Sequence, residues 1–571
     1  MNGCPPNVTN RPGPRCFGAN WAGFLCLLCV LLLAATGCTR KQYQKSADKE
    51  AYKAIAQKSG SVSNMETNFS IQTNALVKLQ DLKVIDKAEE AMGPEGTNEL
   101  GARILPLSRA LEIAVKNSRT YQSRKESLYL SALDLTLARH RFTPIFSGGA
   151  SSRYEGTKVQ AQDNVDKLTS QQDVTGQGNV GVDMLLRSGA RIAVDFTSDF
   201  TRFVVGDTSV ATHSRLAGTI TQPLLRNGGY KATMENLTQA ERNLLYALRD
   251  FTRFRKEYAV QIVTAYYGVL SSRDQVRNAY LGYKAFKKTS DRTRAFVEVG
   301  QQRVADLGRL RQEEINNETT WINAIRAYKQ NLDQLKILLG FSPEMNLALD
   351  DQELERLTIV HPSLSVTDAV RIAMANRLDL YNQRNQFEDA QRKIGLAANG
   401  LLPDLDLVLA ANVDSKPGSG LPELDFNKTS WSGGVNLNLP LDRKSERNTY
   451  RASQINYERS RRDLELKVDS IKLDIYDGWR NLDQARRNYD SSDLGVELSK
   501  RRVEEQNMLS ELGRATSEEQ VAAQNSLTDS LNKRTSALIS HYTSKLSLWR
   551  DLGILTIKDN GQWEEISDVK K

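Results

Sequence analysis

The chain has 571 residues, 26% of them charged, and a mean hydropathy of -0.49, which is polar for a compact multidomain enzyme and predicts a largely wet surface. All five cysteines (Cys4, Cys16, Cys26, Cys29 and Cys38) lie within residues 1–38, so a disulfide scaffold, a thiol enzyme and a cysteine-held metal centre are all disfavoured in the body. The formal charge of +8 is mild, and Lys and Arg alternate with Asp and Glu throughout; no basic face or motif points to nucleic acid.

The first element is a leader. Arg11 and Arg15 precede an apolar run over 21–36 (WAGFLCLLCVLLLAAT), too short for a comfortable bilayer span and typical of a secretory signal. Its end, Ala35-Thr36-Gly37-Cys38, looks like a bacterial lipobox, so residues 1–37 are expected to be removed and Cys38 to carry the lipid. Thr39, rather than an aspartate, follows the cysteine, which points to the outer membrane. A polar N-terminal extension over 38–103 comes next and is expected to run along the outside of the remainder.

The body then repeats itself. ALEIAVKN (110–117) and AVRIAMAN (369–376) match at an offset of 259, as do Pro144 and Pro403, and each proline ends an amphipathic segment of some 25 to 30 residues where strand-like alternation begins. QPLL (222–225) answers LPLD (439–442) at an offset of 217, which pairs Pro223 with Pro440. Beyond these the offset is 213: Gly300 falls on Gly513, and Leu339-Gly340 on Leu552-Gly553. The loss of four residues is close to one helical turn and keeps a helix face in place. The apolar series Leu244, Leu248, Phe251, Tyr258, Ile262 and Val269 shares this register with Leu464, Val468, Ile471, Ile475 and Leu482.

Two units are therefore expected, over 104–341 and 363–555, joined by a linker over 342–362 and followed by a tail over 556–571. Each reads as helix, strands and a long helical hairpin, turning near 287–299 in the first and near 490–507 in the second. A continuous helix over 230–287 would reach about 85 Å, the shape of a tube or stalk.

Between the helices, Leu405, Leu407, Leu409, Ala411 and Val413 alternate with polar or small residues, and so do Trp431, Val435, Leu437 and Leu439. Strand length and a single apolar face suit a transmembrane β-strand. Two strands per unit would give four per chain, which cannot close alone in hydrocarbon, so several chains are required. The first unit is longer between its prolines and holds extra strand-like stretches at 180–186 and 191–200; either this second hairpin lies outside the barrel or the barrel is larger, and the former is the expectation.

QPLLRNGG (222–229), LLRSGARIAVDF (185–196), Phe296-x-x-x-Gly300 with Asp306, and Leu512-Gly513-Arg514 with Glu519, in duplicated order behind a lipobox, resemble the TolC-type outer-membrane efflux proteins. The resemblance implies an α+β membrane protein: a homotrimer with a transmembrane β-barrel, twelve-stranded in that family, continuous with a long periplasmic α-helical barrel. It also implies an exit channel of a tripartite export system, served by a periplasmic adaptor (membrane fusion) protein and an inner-membrane transporter and seated in outer-membrane lipid. The other reading of the same residues is a structural periplasmic coiled-coil lipoprotein that tethers or scaffolds the envelope.

No catalytic constellation or cofactor motif is present. His140, His213, His361 and His541 are widely spaced and read as isolated surface or interface residues, and Asp350-Asp351 as solvated. Asp306 and Glu519, each six residues after a matched glycine, are the candidates for the periplasmic entrance, where the resembling family lines its mouth with carboxylates.

Overall fold

The computed structural model describes residues 39–66, 68–72, 79–161, 164–205, 210–416, 423–512, 514 and 516–564. The leader, Cys38 and Gly513 lie outside the described residues. Helix α1 (Arg40–Ser59) and a 3-10 segment (Glu90–Glu99) form the N-terminal extension. The first unit follows: β1 (Arg103–Leu105), α2 (Leu107–Asn117), α3 (Arg119–His140), β2 (Ile145–Ala161), β3 (Asn164–Leu185), β4 (Arg191–Val205), β5 (Val210–Pro223), the short α4 (Tyr230–Thr233), α5 (Glu235–Glu298) and α6 (Val304–Leu339). After β6 (Leu347–Leu349) and α7 (Gln352–Glu355), the order recurs as α8 (Val366–Asn376), α9 (Leu378–Asn399), β7 (Asp404–Asp414), β8 (Ser430–Asn438), α10 (Lys444–Glu511) and α11 (Ser517–Leu552).

Corresponding helices agree in length: 11 residues for α2 and α8, 22 for α3 and α9, 36 for α6 and α11. The long helices have 64 and 68 residues; the second is the longer, so the four residues lost between the two offsets are lost ahead of α10 and not within it. At about 1.5 Å per residue they span about 96 and 102 Å. Each expected amphipathic segment is two helices, because Ser118 and Arg377 adopt extended backbone (ψ 128° and 117°) between them.

A steric detail recurs with the elements. Gly340 and Gly553 cap α6 and α11 in the left-handed region (φ 87° and 78°), as helix C-termini favour. A Cβ on Gly340 would stand 2.3 Å from the Asn117 carbonyl oxygen, and one on Gly553 would stand 2.9 Å from that of Asn376. Each hairpin thus returns to press its last turn against the end of the 11-residue helix, and only glycine permits that approach.

The expected heptad register is the core. Leu244, Leu248, Phe251, Tyr258, Ile262 and Val269 of α5 are buried with residues of α2, α3 and α6. Ile471, Ile475 and Leu482 of α10 are buried with Ala369, Ala373, Leu380, Leu548 and Leu552. The extension lies along α3, α5 and α6: the Tyr129 hydroxyl donates to Asp48 (2.7 Å), and the Trp321 indole to the Ala91 carbonyl (2.6 Å).

Three expectations change. The hairpins turn later than expected: α5 continues to Glu298, and α10 runs unbroken through 490–507 to Glu511. The stop is a Schellman closure, with Gln301 N–H on the Phe296 carbonyl (2.8 Å) and Gly300 at φ 77°; Arg514 N–H on Leu509 (2.9 Å) repeats it. The first unit contributes four strands to the large sheet, not two. The extra hairpin does not lie apart, because β2–β3–β4–β5–β7–β8 form one antiparallel six-stranded sheet. The repeat-defining prolines bound it, Pro144 before β2, Pro403 before β7, Pro223 ending β5 and Pro440 following β8.

Candidate channel wall and entrance

The register fixes two faces. Phe146, Val182, Val194, Gly218 and Ala411 follow one another across β2, β3, β4, β5 and β7, and Ala411 stands opposite Trp431 of β8. Residues two apart along each strand share that side, and it is apolar or small over its middle, with Gln222 at one margin and Lys158 and Arg202 at the other. It is also bare in the single chain: Phe146 is 76% exposed, Val180 60% and Trp431 83%, with Leu409, Val435 and Leu437 exposed as well. The opposite side carries Gln177, Asn179, Asp195, Thr197, Asn412 and Asn436. A continuous apolar surface of this extent on an antiparallel sheet calls for a nonaqueous neighbour.

Among the described residues the outer strands β2 and β8 each have one strand partner, so their free edges present unpaired backbone groups, untenable within hydrocarbon unless closed by further strands. On α10, Leu466, Leu473, Leu494 and Leu498 are exposed as well.

At the far end the structure gives Glu519 a local task. Thr516 caps α11: Glu519 N–H donates to the Thr516 hydroxyl (3.2 Å), and the Glu519 carboxylate accepts from the Thr516 N–H (3.1 Å) and hydroxyl (2.9 Å). This is a capping box. The backbone hydrogen bond from Thr516 is the main cause holding the Glu519 carboxyl below its ordinary value. Asp306 is likewise the third residue of its helix, α6, where a negative charge suits the helix N-terminus. The hairpin tips meet through Arg309 and Glu518, 4.0 Å apart.

Ion clusters that span several helices were invisible in sequence. Asp379 of α9 accepts from Arg253 of α5 (2.6 Å), Arg377 (2.8 Å) and Lys467 of α10 (2.8 Å). Burial raises its carboxyl pKa, but hydrogen bonds from Arg377 and Lys467 and the Arg253 charge outweigh burial and hold it well below the usual range. Asp351 is not simply solvated: it accepts from Arg277 (2.5 Å), which also pairs with Glu89 of the extension.

Two of the four histidines come together, contrary to the expectation of isolated surface groups. His361 and His541 have ring centroids 6.0 Å apart, and His541 is fully buried. Burial, then Lys545, His361 and Arg486, push His541 down to about 4, so it is neutral at neutral pH. Among the described residues no group of three or more His, Cys, Asp or Glu could hold a metal ion. No helix there is long and apolar enough to cross a membrane.

Residues 369–470, from α8 through β7 and β8 into α10, match the family model of outer membrane efflux protein. The chain aligns over 88% of its length with 94% of the Campylobacter jejuni CmeC outer membrane channel, at 14% identity and a TM-score of 0.59. The fold is that of the TolC-type outer-membrane channels. The open state of the Neisseria gonorrhoeae MtrE outer membrane channel matches over 80% of this chain and 90% of its own (13% identity, TM-score 0.58). The Vibrio cholerae outer membrane protein VceC matches over 78% and 96% (13% identity, TM-score 0.57). No curated protein sequence matches. The resemblance read from the sequence therefore holds in sequence over 369–470 and in fold over most of the chain.

Proposed function

We propose that this protein is the outer-membrane exit channel of a tripartite export system. Three copies close their sheets into one barrel and their helical hairpins into one periplasmic tube. Substrates delivered by a periplasmic adaptor and an inner-membrane pump pass through without chemistry, so no cofactor is required. Cys38 carries the lipid that tethers the N-terminus in outer-membrane lipid. Asp306 and Glu519 ring the entrance at the hairpin tips, where threefold repetition of carboxylates favours cations and eases dilation.

The observation that carries this reading is the six-stranded sheet with one bare apolar face, one polar face and two open edges. A periplasmic scaffold has no use for an exposed apolar sheet, whereas a barrel wall has lipid outside and water inside. Membrane fractionation of the Cys38→Ser protein separates the two. A barrel stays in the outer membrane through its own wall after loss of the lipid; a tethered scaffold is released to the periplasm, and that result would overturn the channel reading.

A further inference from the structure

The extra hairpin of the first unit bears on the size of the pore. β3 and β4 leave β2 and rejoin β5 in antiparallel register, shifted only at Gln160/Ala161 and Gln172/Asp173 among the described residues: Gly148 opposite Val180, Val180 opposite Phe196, Phe196 opposite Leu216 and Leu216 opposite Val413. Their side chains obey the same division as the rest of the sheet. Val180, Val182 and Met184 on β3 and Ile192, Val194 and Phe196 on β4 lie on the face of Leu409 and Val435. On the other face, Asp195 leans over Gly181, where a Cβ would stand 2.4 Å from Asp195 Oδ1 and 3.1 Å from Ser147 Oγ. A hairpin folded outside a barrel would have no reason to continue this alternation, because both of its faces would meet water.

We infer that β3 and β4 are wall strands, so that three copies close an eighteen-stranded barrel, the β2 edge of each copy pairing with the β8 edge of the next. This rests on the channel reading above. β2 begins just beyond α3 and β8 ends just before α10, so both edges have the helix-side end in common and meet antiparallel. β8 has 9 residues and β2 has 17; the remainder of β2 therefore stands beyond the seam on the side away from the helices.

Barrel diameter grows nearly in proportion to strand number. With strands about 4.8 Å apart and tilted by about 40°, eighteen strands give a backbone diameter of about 36 Å, against about 24 Å for twelve. The tube below has four helices of each copy at any level: α5 and α10 throughout, beside α3 or α6 and α9 or α11. Twelve helices spaced about 9–10 Å apart form a circle about 35–39 Å across. At the same tilt the wider barrel has a cross-section about 2.2-fold that of a twelve-stranded one. The barrel would not sieve hydrated polar solutes about 20 Å across, leaving selection to the hairpin tips.

Site-directed quenching in vesicles tests this, with one cysteine bearing a fluorophore at each of six positions, in a background whose five native cysteines are all replaced. Labels at Val180 and Val194 are expected to be quenched by nitroxide lipids as strongly as labels at Leu409 and Val435, while those at Gln177 and Thr197 answer to aqueous iodide. If Leu409 and Val435 meet lipid but Val180 and Val194 meet water, the eighteen-stranded wall is wrong and the channel reading stands. If none of the four meets lipid, the channel reading itself falls. Polymer exclusion on the unlabelled channel is independent of any substitution: polyethylene glycol about 20 Å across should lower its conductance, and full exclusion of that polymer would overturn the wider bore.

Discussion

Asp379→Asn isolates the ion cluster that clamps α5, α9 and α10 together where the two units meet. The substitution keeps the side-chain shape and removes the charge, leaving Arg253, Arg377 and Lys467 around a neutral amide. Arg377 retains Asp474 (3.0 Å) and Arg253 retains Glu257 (2.7 Å), so Lys467 suffers most. Removing one member of a buried pair costs about 3–5 kcal/mol. Arg253 and Lys467 keep 39% and 28% of their side-chain exposure, and solvent screening brings the expected loss down to about 2–3 kcal/mol. The assay is denaturant unfolding of the detergent-solubilised protein, followed by helical circular dichroism. The pH dependence has a definite sign. The folded carboxyl is depressed below its ordinary value of 3.8, so its stabilisation is fully present above that value. It is lost progressively as pH falls from there towards the folded value. The gap between wild type and variant should thus be constant from pH 7 to about pH 5 and narrow below about pH 4. A loss under about 1 kcal/mol at pH 7, or a gap that widens in acid, would refute the clamp.

Gly340→Ala and Gly553→Ala should each destabilise by about 1–3 kcal/mol, through the left-handed backbone and the carbonyls of Asn117 and Asn376; unchanged unfolding midpoints would deny the close contact at the ends of α2 and α8. Thr516→Ala removes the α11 cap and should cost about 1 kcal/mol, seen as faster amide hydrogen exchange confined to the hairpin tip. Glu519→Gln keeps the capping hydrogen bonds but removes the charge, so reversal potentials in asymmetric salt should show weaker cation preference; equal selectivity would leave Glu519 as a cap alone. Cys38→Ser should abolish incorporation of radioactive fatty acid, and label retained on that variant would rule out Cys38 as the lipid site.

Long-period features were legible in the sequence because physical constraints repeat there. The heptad series from Leu244 and from Leu464, the paired prolines and the glycines at 300, 340 and 553 each mark a packing face, a strand boundary or a helix end, and the structure places them so. β7 and β8 were legible because leucines and Trp431 alternate with polar residues. β2 was not, since its SGGASS stretch has too little apolar contrast to set a period. Membership of β3 and β4 in the sheet depends on pairing with β2 and β5, which no local pattern reports. The late turn of α10 was missed because Ser491, Ser492 and Gly495 suggest a break, yet the flanking helix-forming residues carry the helix through them. At the hairpin tip, the place of Glu519 near a helix start was legible, and Thr-x-x-Glu over 516–519 spells the capping box that the structure shows. The Asp379 cluster and the His361–His541 pair join segments over 80 residues apart, beyond the reach of sequence spacing.

Conductance of the purified wild-type protein in a planar lipid bilayer tests the central claim most directly. Three copies with the apolar face outward and the polar face inward predict discrete current steps of uniform size, cation-preferring, from a particle whose native mass in detergent is three chains. A protein that gives no steps above the bare bilayer, or a stable detergent monomer that conducts as well as the trimer, would contradict the account.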